Sequence, residues 1–270
     1  MNVQVTLTIN EAKWIIAKGI ANLPEVRKAF DEGKIFLKGG TTVSAVSQEL
    51  VGQPLRISGR INPSGARGAK NLGEGFHSAL IHKGRFTGVD DCLFETIEKM
   101  TGQDVAVIGA NAFDGLGNAA MMYGSALGSA PGQIISGLMA EIKHVLVPAG
   151  WEKFVPGSLN EIISKTGRKN VDRAMGMAVG LTPITGRIIT ETDAIEVLSE
   201  VCCTIVGKGG IEGAEGATTF SIEGGREAVE KAFDLVLSVK GKGISGCPSS
   251  LEACEGASEK CKNHRACIYV

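Results

Sequence analysis

The chain has 270 residues, a net charge of −1 and 43% hydrophobic residues, which is enough to bury one large domain and a smaller one. The near-neutral charge provides no field for nucleic acid or a membrane surface, and no apolar run approaches the roughly 20 residues that span a bilayer. A low aromatic content, 5%, and 37 glycines favour an α/β scaffold with many tight strand–helix turns over an all-β fold.

The first segment alternates apolar and polar residues as far as Asn10, which predicts a half-exposed strand. This start differs from a signal peptide, so we expect a cytoplasmic protein that has neither a membrane nor a nucleic acid as its partner. Asn10 is expected to cap a helix that runs to about Ala21, and Pro24 is expected to begin a second helix that Gly33 ends. A short strand follows at 34–37.

Two glycines and two threonines connect that strand to the next predicted helix: Gly39, Gly40, Thr41 and Thr42. Backbone N–H groups at the beginning of a helix can bind a phosphate or a carboxylate. A tight strand–helix turn in which threonine caps the helix explains the same residues equally well. The anion-binding loop and the plain turn are therefore both open.

Residues 54–61 predict a strand, and the loop after it carries Arg60, Arg67 and Lys70 among glycines. That loop is either a mobile basic lid over an anionic ligand or an ordinary solvated loop. Further strands and helices are expected in alternation: strands at 79–82, 105–108 and 145–148, and helices at 91–100 and 134–142. This alternation predicts a parallel sheet covered by helices on both faces.

Polar residues and glycines follow the most apolar strand, 105–108, at close intervals. Asn111, Asp114 and Asn118 lie in this stretch, and a glycine–serine loop at 124–132 precedes the next helix. Ligands of open α/β sheets bind beyond the carboxyl ends of the strands. The sequence therefore predicts a ligand pocket in this region.

The elements after about residue 185 predict a small α+β unit, a ferredoxin-like sandwich. They are strands at 187–190, 202–206 and 217–222 and helices at 193–200 and 227–239. A glycine-rich loop at 207–216 is interpreted as a connector, with ligand binding as the alternative. The predicted organisation is an α/β domain at 1–185, a small α+β domain at 186–243 and a cysteine-rich tail at 244–270.

Four of the seven cysteines fall in the tail, separated by six, six and five residues, with His264 among them: Cys247, Cys254, Cys261 and Cys267. Thiols clustered in a polar tail have no core to fill, so a metal site is predicted, holding zinc or an iron–sulfur cluster. Sites of this kind usually contain a C-x-x-C pair, which is absent here. Disulfides and unpaired thiols are the two alternatives.

Three stretches resemble one superfamily of enzymes and sensors: KIFLKGGTTVSAVSQEL, then HSALIHKGRFTGVDDCLFETIEKM with VAVIGANAFDGLGN, then VLVPAGWEKFVP. The superfamily is that of glucosamine-6-phosphate deaminase, ribose-5-phosphate isomerase A and the CoA transferases (NagB/RpiA/CoA-transferase-like), and the segments are most similar to the effector domains of DeoR-type repressors. The resemblance covers about residues 30–160. It implies a three-layer parallel-sheet α/β domain, to which the small domain and the tail are additions.

The resemblance also implies a site at the strand ends. Gly39, Gly40, Thr41 and Thr42 would hold a phosphate or a similar anion. Asn111, Asp114 and Asn118 would face the reacting part of the ligand. A second backbone cradle and two cations would complete the site: Gly124, Ser125, Ser129, Lys153 and Arg85.

One departure from the superfamily affects the predicted chemistry. Its sugar-phosphate isomerases carry an acidic residue where this chain has Asn111, and an amide cannot accept a proton from a sugar carbon. Asp114 or Glu152 would therefore act as the acid/base, and Lys153 would stabilise the developing negative charge. A structural turn-capping role is the alternative for Asp114.

The predicted function is that of an isomerase or transferase acting on a phosphorylated or CoA-linked small metabolite. Its ligand would be an anionic molecule, either a sugar phosphate, a nucleotide or a CoA ester, and a homo-oligomer is expected. The first alternative is a non-catalytic metabolite-binding or sensor protein, although the N-terminus lacks the helix-turn-helix of a repressor. The second is a metal- or iron–sulfur-linked redox protein that acts through the tail.

Overall fold

The computed structural model describes residues 1–71, 73–256, 261 and 264–269. Its strands are β1 (Asn2–Leu7), β2 (Lys34–Lys38), β3 (Gly59–Asn62), β4 (Gly65–Gly68), β5 (Ser78–His82), β6 (Arg85–Gly88), β7 (Val105–Ile108), β8 (Ala112–Phe113), β9 (Ala119–Tyr123), β10 (His144–Pro148), β11 (Gly180–Ile184), β12 (Arg187–Ile189), β13 (Cys202–Gly209) and β14 (Ala217–Glu223). Its helices are α1 (Ile9–Ala21), α2 (Pro24–Asp31), α3 (Thr41–Val51), α4 (Leu93–Glu98), α5 (Ser129–Gln133), α6 (Ile135–Glu141), α7 (Leu159–Lys165), α8 (Glu191–Ser199) and α9 (Arg226–Leu237). The predicted α/β class is confirmed.

The central sheet has the strand order β12-β10-β7-β2-β5-β6. The first four of these strands are parallel, whereas β5 and β6 are antiparallel to their neighbours. The prediction of an all-parallel sheet is therefore wrong for this end of the sheet. A two-residue turn, Lys83–Gly84, in which both residues have positive φ, 50° and 72°, makes β6 antiparallel to β5. Such a turn joins two strands directly into a hairpin.

Helices cover both faces of this sheet. Alternate residues of a strand point to opposite faces, so Phe36 joins one apolar cluster while Ile35 and Leu37 join the other. The first cluster contains residues of α4 and α6, and the second contains residues of α1, α2 and α3. The parallel strands are thus buried on both sides, which explains their nearly continuous apolar sequences.

A second sheet joins the two ends of the chain. It is antiparallel, with the order β1-β14-β13, and Val5 and Leu7 pack in one cluster with Phe220 and Ile222. The N-terminal strand therefore pairs with a strand that was predicted to belong to the small domain. Conversely, β12 pairs with β10 in the central sheet. Both pairings cross the boundary predicted at residue 185.

The remaining strands form two smaller structures. The segment predicted as a polar loop before residue 124 contains β8 and β9, which form a third sheet with β11. The strand predicted at 54–61 is wrong at its start, because β3 begins only at Gly59 and pairs with β4. Within the described residues, no helix has the length and apolar character needed to cross a membrane.

The basic loop is part of the hairpin β3–β4, and it holds the tail. The Arg60 guanidinium donates to the carbonyl oxygen of Ser250, and Arg67 Nε donates to that of Cys254 at 3.1 Å. The Arg67 guanidinium also lies 4.3 Å from the centre of the Tyr269 ring. These contacts explain the basic residues of this loop without an anionic ligand.

Glu11, on α1, binds the segment that follows α9, and its replacement gives a first prediction. Its buried carboxylate accepts from Thr8 N at 2.8 Å, Lys240 Nζ at 2.8 Å and Gly241 N at 2.9 Å. Burial by itself raises the pKa of Glu11, but these hydrogen bonds outweigh burial and lower the pKa to about 2. Glu11→Gln is expected to reduce the free energy of unfolding by about 1–3 kcal/mol in urea titrations at pH 7.

The pH dependence of unfolding checks this prediction independently. A carboxylate whose pKa is lower in the folded state stabilises the protein above its unfolded pKa of roughly 4.3, and this contribution is lost as the pH falls towards 2. The Gln variant lacks the group, so it should lose less stability over this range than the wild type does. Glu98→Gln, at an exposed position, is the control. Identical acid profiles for wild type and Glu11→Gln would contradict the assignment.

Candidate active site

The carboxyl ends of the four parallel strands lie at one edge of the central sheet. Lys38 pairs with Ile108, so the segment after β2 and the segment after β7 leave the sheet side by side. Pro148 pairs with Ile189, which places Gly150 and Glu191 together in the same way. The structure thus brings the Gly39 loop, Asn111 and the 150–153 segment to a common edge.

Two carboxylates meet over Gly150. A Cβ atom at this glycine would lie 2.0 Å from Glu152 Oε2 and 3.2 Å from Glu191 Oε1, so any larger residue here would displace the Glu152 carboxylate from its position. Glu191 is the first residue of α8 and is 1% exposed. The backbone N–H of Trp151 donates to both of its oxygens, at 3.3 and 3.1 Å. The Glu191 side chain is therefore buried and fixed in position.

The charges around this pair alter two pKa values. Burial, and then the negative charge of Glu152, raise the pKa of Glu191 to about 7. Lys13, on α1, has a pKa lowered to about 8, first by burial and then by the positive charge of Lys153. Glu152, Lys153, Glu191 and Lys13 form a mixed-charge cluster, and perturbed pKa values such as those of Glu191 and Lys13 are typical of acid–base groups in active sites.

Aromatic side chains and the second sheet border this cluster. The Trp151 and Phe154 rings pack against Phe113, with ring centres 5.3 and 5.6 Å away. Trp151 Nε1 is buried and has no hydrogen-bond partner among the described residues. Lys208, on β13, donates to the Trp151 carbonyl oxygen. This indole N–H is therefore a buried donor with no acceptor in the part of the chain that the structure describes.

The Gly39 loop contains a glycine that packing requires, and α3 begins in it without a side-chain cap. Gly39 N donates to His77 O at 2.7 Å, and a Cβ at this position would lie 2.3 Å from that oxygen, so packing alone requires the glycine. A Cβ at Gly40, by contrast, would meet nothing within 4 Å. Helix α3 begins here without a side-chain cap, and the buried Thr42 Oγ1 has no partner among the described residues. The tight strand–helix turn is therefore found at Gly39, although no threonine caps α3, and anion binding by this loop stays a prediction.

Asp114 and Asn118 form a closed turn. The Asp114 carboxylate is 3% exposed and accepts from Leu116 N, Asn118 N and Leu159 N at 2.9–3.0 Å. Asn118 Nδ2 donates to both of its oxygens. Burial would raise the pKa of Asp114, but these hydrogen bonds together lower it to about 2. A carboxylate with this pKa and these partners holds a turn and is a poor base at neutral pH.

The other predicted ligand residues are dispersed. Asn111 is exposed at the edge, where its Oδ1 accepts from Met122 N at 3.0 Å. The loop with Gly124, Ser125 and Ser129 packs near Met177 and Tyr123. Arg85, the first residue of β6, pairs with His82 of β5. His82 in turn pairs with Lys34, which is the first residue of β2. The structure therefore places Arg85 at the opposite edge of the sheet from the Gly39 loop.

The tail cysteines lie along different segments. Cys247 N donates to Leu55 O, Cys254 N donates to Gly68 O, and Cys267 bridges to Ala174. In the part of the chain that the structure describes, no disulfide is present and no three His, Cys, Asp or Glu side chains group closely enough to hold a metal ion. The zinc or iron–sulfur site at Cys247, Cys254, Cys261 and Cys267 stays a prediction, which analysis of iron, zinc and acid-labile sulfide tests.

An open surface hollow lies at the end of the second sheet, away from these loops. Glu200, Cys202 and Glu223 line it together with the N-terminus, whose ammonium donates to Gly224 O at 2.8 Å. Two carboxylates and an already bonded ammonium do not suit an anionic ligand. The chemistry of the strand ends therefore makes them the better candidate site.

Comparison with known proteins adds no relative. No protein-family model matches the chain, and neither a curated protein nor a solved structure does. The superfamily resemblance of residues 30–160 and the ligand classes that it implies therefore stay predictions. The function has to be argued from the geometry of the strand ends.

Two members of the mixed-charge cluster were missed in the sequence. Lys13 lies within a helix predicted only as scaffold, and Glu191 follows a strand that was assigned to the small domain. A signal for Glu191 was present, because it lies within a few residues of the end of an apolar strand, as Glu152 does. Glu152 and Lys153 were singled out, and both lie in the cluster.

Proposed function

We propose that this protein is an enzyme of the isomerase or transferase type that moves a proton on a small phosphorylated or CoA-linked metabolite. The observation that supports the proposal is the pair of carboxylates, Glu152 and Glu191, over Gly150. Glu191 is the acid/base, and Glu152 tunes its proton affinity. Lys153 and Lys13 supply the positive charge.

The pair suits proton transfer for a physical reason. Two neighbouring carboxylates resist double ionisation, so one of them keeps a proton near neutral pH and can both donate and accept it. Removing a proton beside a carbonyl or phosphorylated carbon leaves negative charge on an oxygen. Lys13 and Lys153 are close enough to influence each other's charge, and a developing oxyanion between them would be stabilised.

The beginning of α3 supports an anionic ligand at the same edge. The N–H groups of this uncapped helix end carry partial positive charge, and the unpartnered Thr42 hydroxyl adds a donor. We further propose that the chain has the three-layer fold of the superfamily. This proposal rests on the resemblance of residues 30–160, a range that includes the Gly39 loop and the 150–153 segment. A homo-oligomeric, cytoplasmic metabolite enzyme is part of the same proposal.

The test begins with ligand binding. Thermal unfolding of the protein with sugar phosphates, nucleotides and CoA esters should show a raised Tm with at least one class. Proton NMR of that ligand in D2O should then show one carbon-bound hydrogen replaced by deuterium in the presence of the protein. Binding without exchange or turnover would indicate the sensor alternative, and no binding by any class would overturn the proposed ligand.

A further inference from the structure

A buried lysine at the end of β2 is not used by the function proposed above. Lys38 is 5% exposed and lies between Ser78 on β5 and Ile108 on β7. Its Nζ atom lies 3.0 Å from the Met121 sulfur, a weak acceptor. Among the described residues, no carboxylate forms an ion pair with it. Such a group is rare, because a buried ammonium without a counter-ion is costly.

The charged groups nearest this lysine do not neutralise it. His77 precedes Ser78, and its pKa is lowered to about 4 by burial and then by the charge of Lys38. Asp90 is occupied by other donors, because it accepts from Arg56 at 2.6 Å and from the backbone N–H of Ser78 at 2.7 Å. Burial lowers the pKa of Lys38 to about 8. Roughly a tenth of the amine is therefore uncharged at pH 7, and an uncharged amine is a nucleophile.

A second group beside Lys38 lacks a partner. Directly opposite residues of an antiparallel pair point to the same face of a sheet, so Ser78 accompanies Lys38. The Ser78 hydroxyl is buried and has no hydrogen-bond partner among the described residues. Buried hydroxyls normally have one. A ligand oxygen next to the Lys38 nitrogen would supply it.

From this geometry we propose that Lys38 forms an imine with a small carbonyl compound, an aldehyde or a 2-oxo acid, and that Ser78 Oγ donates to the carbonyl oxygen. The nitrogen lone pair forms a bond to the carbonyl carbon, and the carbonyl oxygen takes a proton from the nitrogen. The C–O bond then breaks, and the oxygen leaves as water with the second amine proton. The step needs no oxidant or reductant.

Met121 controls access to the amine. Its sulfur occupies the position next to Nζ that a carbonyl carbon would have to reach, and Met121 itself is 6% exposed. Methionine is unbranched and flexible, so it can move aside where a branched side chain would not. Shortening this side chain should open the same path permanently.

The experiment uses glyoxylate with cyanoborohydride on the full chain at pH 7, followed by peptide mass spectrometry. Cyanoborohydride reduces an imine to a stable secondary amine, which marks the lysine. Lys38 should be modified about ten times faster than Lys34, because a lowered pKa increases the uncharged fraction of the amine. Lys34 is the matched control, since it lies on the same strand but donates to Lys99 O and pairs with Asp104.

Variants separate reactivity from access. Met121→Ala should increase the rate of Lys38 modification further, and Ser78→Ala should decrease it. Lys38→Met should abolish the mark without unfolding the protein, because it replaces an unpaired buried charge by an apolar side chain. An unmarked Lys38 in both wild type and Met121→Ala would overturn the proposal. Because the readout is a mark on Lys38, it is independent of ligand proton exchange by Glu191.

Discussion

Replacing Glu191 by Gln is expected to lower the rate of ligand proton exchange by about 100- to 10,000-fold, the usual contribution of a general acid–base group. Glutamine keeps the size of the side chain and an oxygen that can accept from Trp151 N. It carries no exchangeable carboxyl proton, so ligand binding should persist while the exchange rate falls. The measurements are deuterium incorporation by NMR and the Kd of the ligand found by thermal unfolding.

The pH profile of exchange tests the role of the pair. Burial and then Glu152 raise the pKa of Glu191 to about 7, so the wild-type rate should change most steeply near that pH. Glu152→Gln removes the neighbouring charge, which should move the transition to lower pH. Glu98→Gln, at an exposed position, should leave the profile unchanged. A Glu191→Gln protein that exchanges its ligand at the wild-type rate would refute the assignment.

Asp114→Ala is expected to lower the free energy of unfolding by about 2–4 kcal/mol, because it leaves buried donors without their charged acceptor. The carboxylate holds the backbone N–H groups of Leu116, Asn118 and Leu159, and so ties the turn after β8 to the beginning of α7. Unfolding in urea, followed by circular dichroism, measures the loss. The loss of unfolding free energy should be nearly complete at pH 7, where the Asp114 carboxylate of the wild type is ionised.

A conservative variant separates structure from catalysis. Asp114→Asn keeps one acceptor oxygen, so it should lose less stability than Asp114→Ala and should still exchange the ligand proton. The pKa of Asp114 is lowered to about 2, so its stabilising contribution should disappear only as the pH falls from roughly 4 towards 2. Asp91→Asn, at an exposed position, is the control. Wild-type stability combined with lost exchange in Asp114→Asn would instead restore Asp114 as a base.

Local pattern was a good guide to the strands and a poor guide to their pairing. The apolar run 105–108 and the alternating start of the chain were both predicted as strands, and β7 and β1 are found there. The antiparallel pairing of β5 with β2 was missed, because it joins strands separated by about 40 residues. The pairing of β1 with β14 joins residues more than 200 positions apart, and no local pattern contains it.

The same distinction applies to the site residues. Glu152 and Lys153 were predicted because they follow a buried strand, and a strand end is a local feature. Glu191 follows a strand too, but its neighbour across the sheet decides its role, and that neighbour is Gly150. Asp114 was predicted as a candidate acid/base, yet the local N–H groups of Leu116 and Asn118 and the N–H of Leu159, 45 residues later, occupy it.

The sequence alone determined the α/β class, most strand positions and the loops that follow the parallel strands, because periodicity and glycine placement act over a few residues. Only the tertiary structure decided which charged residues share a site. The raised pKa of Glu191 and the lowered pKa of Lys38 arise from burial among segments distant in the chain. Burial and charge proximity act through space, so they become visible only when the strands are ordered in the sheet.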